Sequence, residues 1–263
     1  MNKIWTIASI TVQEELRNKV VYILLATAFL FLFMARGCTP GKITIQNGFL
    51  NPDQIINMGI VITFSGILVW GLSLCGLLAM NAIPRELVEE TVVLTITKPV
   101  KRTWFLVGKF LGVLFIVWIN VMALSIGFLI LLYLRSGVFK LSVFTGLLVA
   151  FLNFMLIISI IFLFSLFLPR VVSALLTFSM YVISLGLSIP FYFEKINAYW
   201  EPSRPTQFLH YALPQMGGLH LYASSFLSDF FPSYMGFWSV MDIIGYIIVV
   251  WLVMIFIFER KEI

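Results

Sequence analysis

The chain has 263 residues, 61% of them hydrophobic and only 11% charged, with a mean hydropathy of +1.03. Soluble domains carry about 25% charged residues, so this composition places the chain in a membrane and leaves no room for a globular catalytic domain. The net charge of +5 does not indicate nucleic acid as a partner, because the basic residues sit at the ends of apolar runs rather than together on one solvated face.

The amino-terminal segment is amphipathic. Within residues 3–18, Ile4, Ile7, Ala8, Val12 and Leu16 recur at three- and four-residue steps, with Gln13, Glu14, Arg17 and Asn18 between them. This pattern predicts an interfacial helix within residues 1–19, with Trp5 at headgroup depth. The apolar run Val20–Ala35 follows, and Cys38 after it superficially matches a lipoprotein signal. Arg36 occupies a position where such signals want a small residue, and the preceding segment is too long and acidic. Val20–Ala35 is therefore expected to be a retained span.

Five further runs are long and apolar enough to cross a bilayer: Met58–Ala82, Phe105–Leu134, Leu141–Leu168, Val171–Phe193 and Phe237–Phe258. The third and fourth of the six spans exceed the required length, which predicts tilt or extension beyond the lipid. The two cysteines, Cys38 and Cys75, support neither a disulfide framework nor a metal site. The expected architecture is an all-α integral membrane protein of six transmembrane helices, forming one transmembrane domain over residues 1–263.

An even number of spans puts both termini on one side. With the termini inside, 11 of the 17 lysines and arginines lie inside and six outside. The excess of basic residues on cytoplasmic loops then predicts cytoplasmic termini in a cell (inner) membrane. Outside lie an irregular Gly/Pro/Asn-rich loop, 37–56, and a longer loop, 194–236. The latter contains Leu219–Phe231 (LHLYASSFLSDFF), apolar but too short to span, and so expected to be re-entrant or interfacial.

The densest charge lies between spans two and three, in residues 83–104. Pro84 suits the first turn of a helix, Arg85 and Glu89 form an i,i+4 pair, and Glu86, Glu89 and Glu90 sit near the helix amino end, where acids are favoured. Leu87, Thr91 and Leu94 share one side, and Pro99 stops the helix. Lys101 and Arg102 meet headgroups, Trp104 anchors the next span, and Lys109 follows as a further interface residue. A loop that only enforces topology needs basic residues alone. The acidic cluster, with its helix start and proline stop, points to a docking element, with Arg85, Glu86, Glu89, Glu90, Thr91, Lys98 and Pro99 as the contact residues.

Recognisable catalytic or nucleotide-binding chemistry is missing. Gly37–Ile43 (GCTPGKI) has glycines one residue too close for a phosphate loop, and Ile43 replaces the magnesium-binding hydroxyl. His210 and His220 are expected as surface or interface residues of the outer loop. Asp242 is the one deeply placed ionisable residue in an expected span. It supports the alternative reading, an ion-coupled secondary transporter or channel.

At the charged block the chain resembles the permease subunits of ABC-2-type ABC transporters. The residues that carry the resemblance are Glu86, Glu89, Glu90, Thr91, Thr97, Lys98, Pro99, Lys101, Arg102, Gly108 and Lys109, in that order. Glu90 stands where the family often has glycine, and Thr95–Thr97 replaces Leu-Ser. Gln13–Lys19 and Phe258–Glu262 resemble the two ends of such chains, and the small permeases associated with multicopper-enzyme maturation look most similar. The resemblance implies the ABC-2 exporter fold, with an amphipathic elbow, a cytoplasmic coupling helix and re-entrant helices between spans five and six. It also implies two permease copies or homologues working with two separate ATPase subunits. ATP and magnesium would then bind on those partners, and no cofactor would bind this chain directly.

The layout is open to a direct test. Single cysteines at Lys195 and Arg204, in a chain lacking Cys38 and Cys75, should react with an impermeant thiol reagent outside intact cells, and one at Lys101 only after the membrane is opened. Labelling of Lys101 and Arg204 from the same side would contradict the span count.

Overall fold

A computed structural model describes residues 3–17, 22, 26–30, 33, 52–82, 102–137, 139–194, 203–227 and 236–260. Among them the regular structure is helical throughout: α1 (Lys3–Arg17), α2 (Pro52–Ala82), α3 (Arg102–Ser136), α4 (Ser142–Ser165), α5 (Arg170–Glu194), α6 (Arg204–Ala212), α7 (Met216–Ser225) and α8 (Gly236–Arg260). Five of these, α2, α3, α4, α5 and α8, are long and apolar enough to cross a membrane. Apolar residues occur around their whole circumference, so each fits only an environment without water on any side. Of the expected first span, only Tyr22, residues 26–30 and Phe33 are described; they are helical, and Ala28 is buried.

The core forms around α4, which packs against α2, α3, α5, α7 and α8. Its buried side includes Leu147, Phe154, Leu156, Ile158 and Phe162. Aromatic contacts lock α8 to this centre. Phe110 of α3 meets Trp251 edge-on at 4.9 Å between centroids, and the Trp251 indole N–H donates to Ser159 Oγ at 3.1 Å. An indole is readily buried when its one donor is satisfied. By contrast, α5 and α8 turn bulky apolar residues outward, among them Leu175, Val182, Trp238 and Leu252. Such surface suits lipid or another membrane subunit rather than water. At 35 residues, α3 extends to about 52 Å, well beyond a ~30 Å hydrocarbon core.

Two short helices sit against this frame without crossing it. At one end α1 packs along α3. At the other, α7 fits between α2, α4, α5 and α8, with Met216, Leu219 and Ala223 fully buried. The expected re-entrant piece, Leu219–Phe231, thus begins three residues earlier as a helix, at Met216, and the helix ends at Ser225. Gly217 and Gly218 explain the shift: glycine is a poor helix former in isolation, but here it permits close packing. A methyl group on Gly217 would overlap the backbone of Leu185 in α5, whereas one on Gly245 of α8 would meet nothing within 4 Å.

This contrast predicts an asymmetric pair of variants. Gly217→Ala should destabilise the protein by about 1–3 kcal/mol, the usual cost of overpacking, and lower its melting temperature in detergent. Gly245→Ala should leave the melting temperature unchanged or raise it. Equal behaviour of the two would show that α7 does not abut α5.

Candidate functional site

The polar groups of the membrane region gather where α6 turns into α7. Between these helices the chain runs through Leu213, Pro214 and Gln215: the Leu213 N–H still closes α6 on the Leu209 carbonyl at 3.1 Å, and the Gln215 carbonyl accepts from the Leu219 N–H of α7 at 3.0 Å. Side chains from three spans supply the further partners of this turn. The Ser184 hydroxyl of α5 donates to the Pro214 carbonyl at 2.8 Å and accepts from the Gly217 N–H at 3.0 Å. Asn153 of α4 donates its amide to the Met216 carbonyl at 2.9 Å. The Gln215 N–H donates to Asp242 Oδ2 of α8 at 2.9 Å, and Ser239 donates to Gln215 Oε1 at 2.9 Å. Tyr246 of α8 donates to the Ala212 carbonyl at 2.9 Å. The amino end of α7 carries partial positive charge, and the Asp242 carboxylate beside it is a favourable counter-charge.

These partners also measure depth. Asn153 lies at the middle of Ser142–Ser165, and Tyr246 at the middle of Gly236–Ile257. Ser184 and Asp242 lie within about one helical turn of the middles of their own spans. The α6–α7 turn therefore reaches halfway along the bundle. From there α7 returns the way it came: the Lys140 ammonium, just before α4, donates to the Leu227 carbonyl at 2.9 Å and to Asn57 Oδ1 at 2.6 Å. This clamps the carboxyl end of α7 to the ends of α2 and α4. The α6–α7 turn thus sits at mid-bundle, held by α4, α5 and α8.

Within the hairpin, His220 differs from its expected surface position. It is 4% exposed, with Nδ1 at 3.0 Å from the Tyr181 hydroxyl. His210, on α6, is half-buried. The α6 limb itself has no buried residue, and Phe208 and Tyr211 are more than 70% exposed. Asp242 has a defined hydrogen-bonding task in seating α7.

A second polar junction forms where α1 meets α3. Gly108 and Gly112 leave α3 bare along one stripe, and α1 runs over it in the same direction. A methyl group on Gly108 would come within 2.7 Å of Ile7, and one on Gly112 within 2.7 Å of Thr11. Small residues four apart allow such backbone approach. Ala8, Thr11 and Glu15 are buried on the facing side. Lys109, expected as an interface residue, has a side chain only 5% exposed that donates to Glu14 Oε2 at 3.0 Å. The lysine turns inward because α1 covers it and presents a carboxylate. Trp5 is 67% exposed and Trp104 42%.

The expected docking residues Arg85, Glu86, Glu89, Glu90, Thr91, Lys98 and Pro99, with Lys101, lie outside the described residues. Arg102 is the first residue of α3, so the charged block leads directly into the helix that α1 grips. Several residues of both junctions carried legible signals that the sequence reading passed over. Gly108 and Gly112 form a small-residue pair at helical spacing, and Asn153 and Ser184 are polar groups inside apolar runs, a known mark of function or of helix contact.

The family model described as "ABC-2 family transporter protein" matches residues 5–263. A search of curated proteins finds no match.

The hairpin seat yields a testable ranking. Ser184→Ala removes one donor and one acceptor from buried backbone partners and should cost about 1–3 kcal/mol. Asp242→Ala should cost about 0.5–2 kcal/mol, as loss of a helix cap does. Ser179→Ala, at an exposed α5 site whose hydroxyl bonds only its own helix, should be near neutral. Melting temperatures that fail to separate Ser184→Ala from Ser179→Ala would contradict the seat.

Proposed function

Because the chain belongs to the ABC-2 transporter family, as a multi-pass membrane permease subunit, we propose that it forms half of the membrane path of an exporter driven by ATP hydrolysis on separate ATPase subunits. Those subunits dock on the charged block, with Arg85, Glu86, Glu89, Glu90, Thr91, Lys98 and Pro99 at the contact. ATP and magnesium bind on the partner. Both termini and the block face the cytoplasm across the cell's inner membrane, in keeping with the distribution of lysine and arginine.

The observation that supports this reading most strongly is the α1–α3 junction. The block feeds straight into α3 at Arg102, and α1 is fixed to the same part of α3 by glycine packing and the Lys109–Glu14 pair. A displacement delivered to residues 85–100 is then carried by α1 and α3 together rather than absorbed by a loose loop. The long α3 conveys it to the core around α4, on which the re-entrant hairpin is seated through Asn153. A second permease copy would complete the path, with the exposed α6 limb at its outer half. Such coupling requires the ATPase to bind two states of the permease with different affinity.

The purified chain is expected to carry a nucleotide-binding subunit with it and to hydrolyse no ATP alone. Reversing both Glu89 and Glu90 to lysine should lower recovery of that subunit at least about tenfold, since losing buried interfacial charge pairs costs about 2–5 kcal/mol. Expression and insertion should be retained. Unchanged recovery and unchanged ATPase activity in the complex would remove these acids from the contact.

A further inference from the structure

Beside the α1–α3 junction runs a groove of about 390 Å³ whose walls are nearly all apolar. Trp5 and Val12 of α1 form one wall, Leu111 and Phe115 of α3 the other, and Trp118 packs edge-on against Phe151 of α4, at 4.7 Å between centroids, to close one end. We propose that this groove holds one acyl chain of a membrane phospholipid, which acts as a non-protein component of the junction.

Three observations favour that occupant. First, the groove opens onto surface that already faces hydrocarbon: Leu111, Phe115 and Ile119 are 38–50% exposed and succeed one another at four-residue steps along the outer side of α3. In a membrane-spanning helix such a stripe meets lipid. Second, the volume lies at the small end of the range for ligand sites; it suits a slender chain and is too small for an added helix about 10 Å across. Third, the polar lining consists of Ser9 and Gln13, four residues apart on α1. Ser9 already donates to the Thr6 carbonyl at 2.9 Å, the Gln13 amide can donate to a lipid ester or phosphate, and neither group repels an apolar chain. Half of α1 is thereby accounted for: its small residues, Ala8 and Thr11, meet α3, and the adjoining Trp5 and Val12 meet the acyl chain. The lipid fills the cleft left where α1 lies on the Gly108–Gly112 stripe. It adds apolar contact to both helices at once, so the bilayer contributes to fixing α1 on α3.

The full chain, reconstituted in phosphatidylcholine nanodiscs, tests this with a benzophenone amino acid placed at Ser9. Illumination should give a product heavier by one phospholipid. Attachment to residues 18–35 of the same chain would mean that a protein segment fills the groove, and attachment to a second copy that it is a subunit interface; either overturns the proposal. A second arm uses phosphatidylcholine bearing a diazirine midway along one acyl chain. Val12→Trp, which fills the groove, should reduce labelling of the peptide containing Leu111–Trp118 at least fivefold. Labelling at Leu252 of α8 should stay constant. Ile10→Trp, also on α1 but outside the groove, should have no effect. If Val12→Trp melts like the parent chain and labelling of Leu111–Trp118 is unchanged, the lipid there is ordinary boundary lipid and the groove is not a site. Should Val12→Trp fail to fold, Ser9→Phe replaces it with the same expected and contrary outcomes.

Discussion

A backbone that leaves helical geometry inside hydrocarbon must find hydrogen-bond partners within the protein. That constraint governs the arrangement around Ala212–Gly217, where the chain turns back on itself at the middle depth of the bundle. Ser184, Asn153, Asp242 and Tyr246 meet it from three different spans. The positions of α4, α5 and α8 are thus tied to one another through a turn that belongs to none of them. The packing follows from this: α4 is the central helix because it carries both Asn153 toward the turn and Ser159 toward Trp251, and α7 is buried because its entrance is pinned at mid-depth and its exit is held by Lys140.

The α1–α3 junction solves a different problem. A short amphipathic helix gains little stability alone, and α1 is held by what α3 lacks: side chains at Gly108 and Gly112. The Lys109–Glu14 pair then fixes the register at a site where the lysine is almost fully covered and the glutamate is half exposed. With one partner open to solvent, the pair contributes orientation more than energy. The two junctions lie toward opposite ends of the bundle and communicate through the packed α3–α4 contact. Between the two junctions, one built on glycine packing and the other on a side-chain-held break in the helix, lies a close-packed core.

Much of this was legible in the residues. Five spans appear within a few positions of their expected bounds, because an apolar run of 20 or more residues has few alternatives. The length of Leu219–Phe231 did not reveal the helix start at Met216, since Gly217 and Gly218 read locally as helix breakers and only contact with Leu185 makes them favourable. Asp242 stood out as an isolated carboxylate; its partner, the Gln215 N–H, is a backbone group and leaves no mark in a sequence. Lys109 was expected at the interface because a basic residue near a span end usually lies there. Its ion pair with Glu14 depends on α1 folding back over it, a long-range contact that local pattern does not encode. His220 changed environment for a similar reason: a place in an expected outer loop says nothing about Tyr181 waiting in α5.

The central claim is that residues 203–227 enter the membrane to mid-depth and leave on the side from which they came. Spin labels placed singly at Arg204, Gln207, Tyr211, Leu213, Tyr222 and Phe226 in nanodiscs, with depth read from oxygen and nickel accessibility, measure it directly. The expected profile is V-shaped: deepest at Leu213, roughly 15 Å below the headgroups given the ~30 Å hydrocarbon thickness, and rising toward both Arg204 and Phe226 on the same side. A profile that passes steadily from one face to the other, or one with every label at headgroup depth, would contradict the re-entrant hairpin and the account built on it.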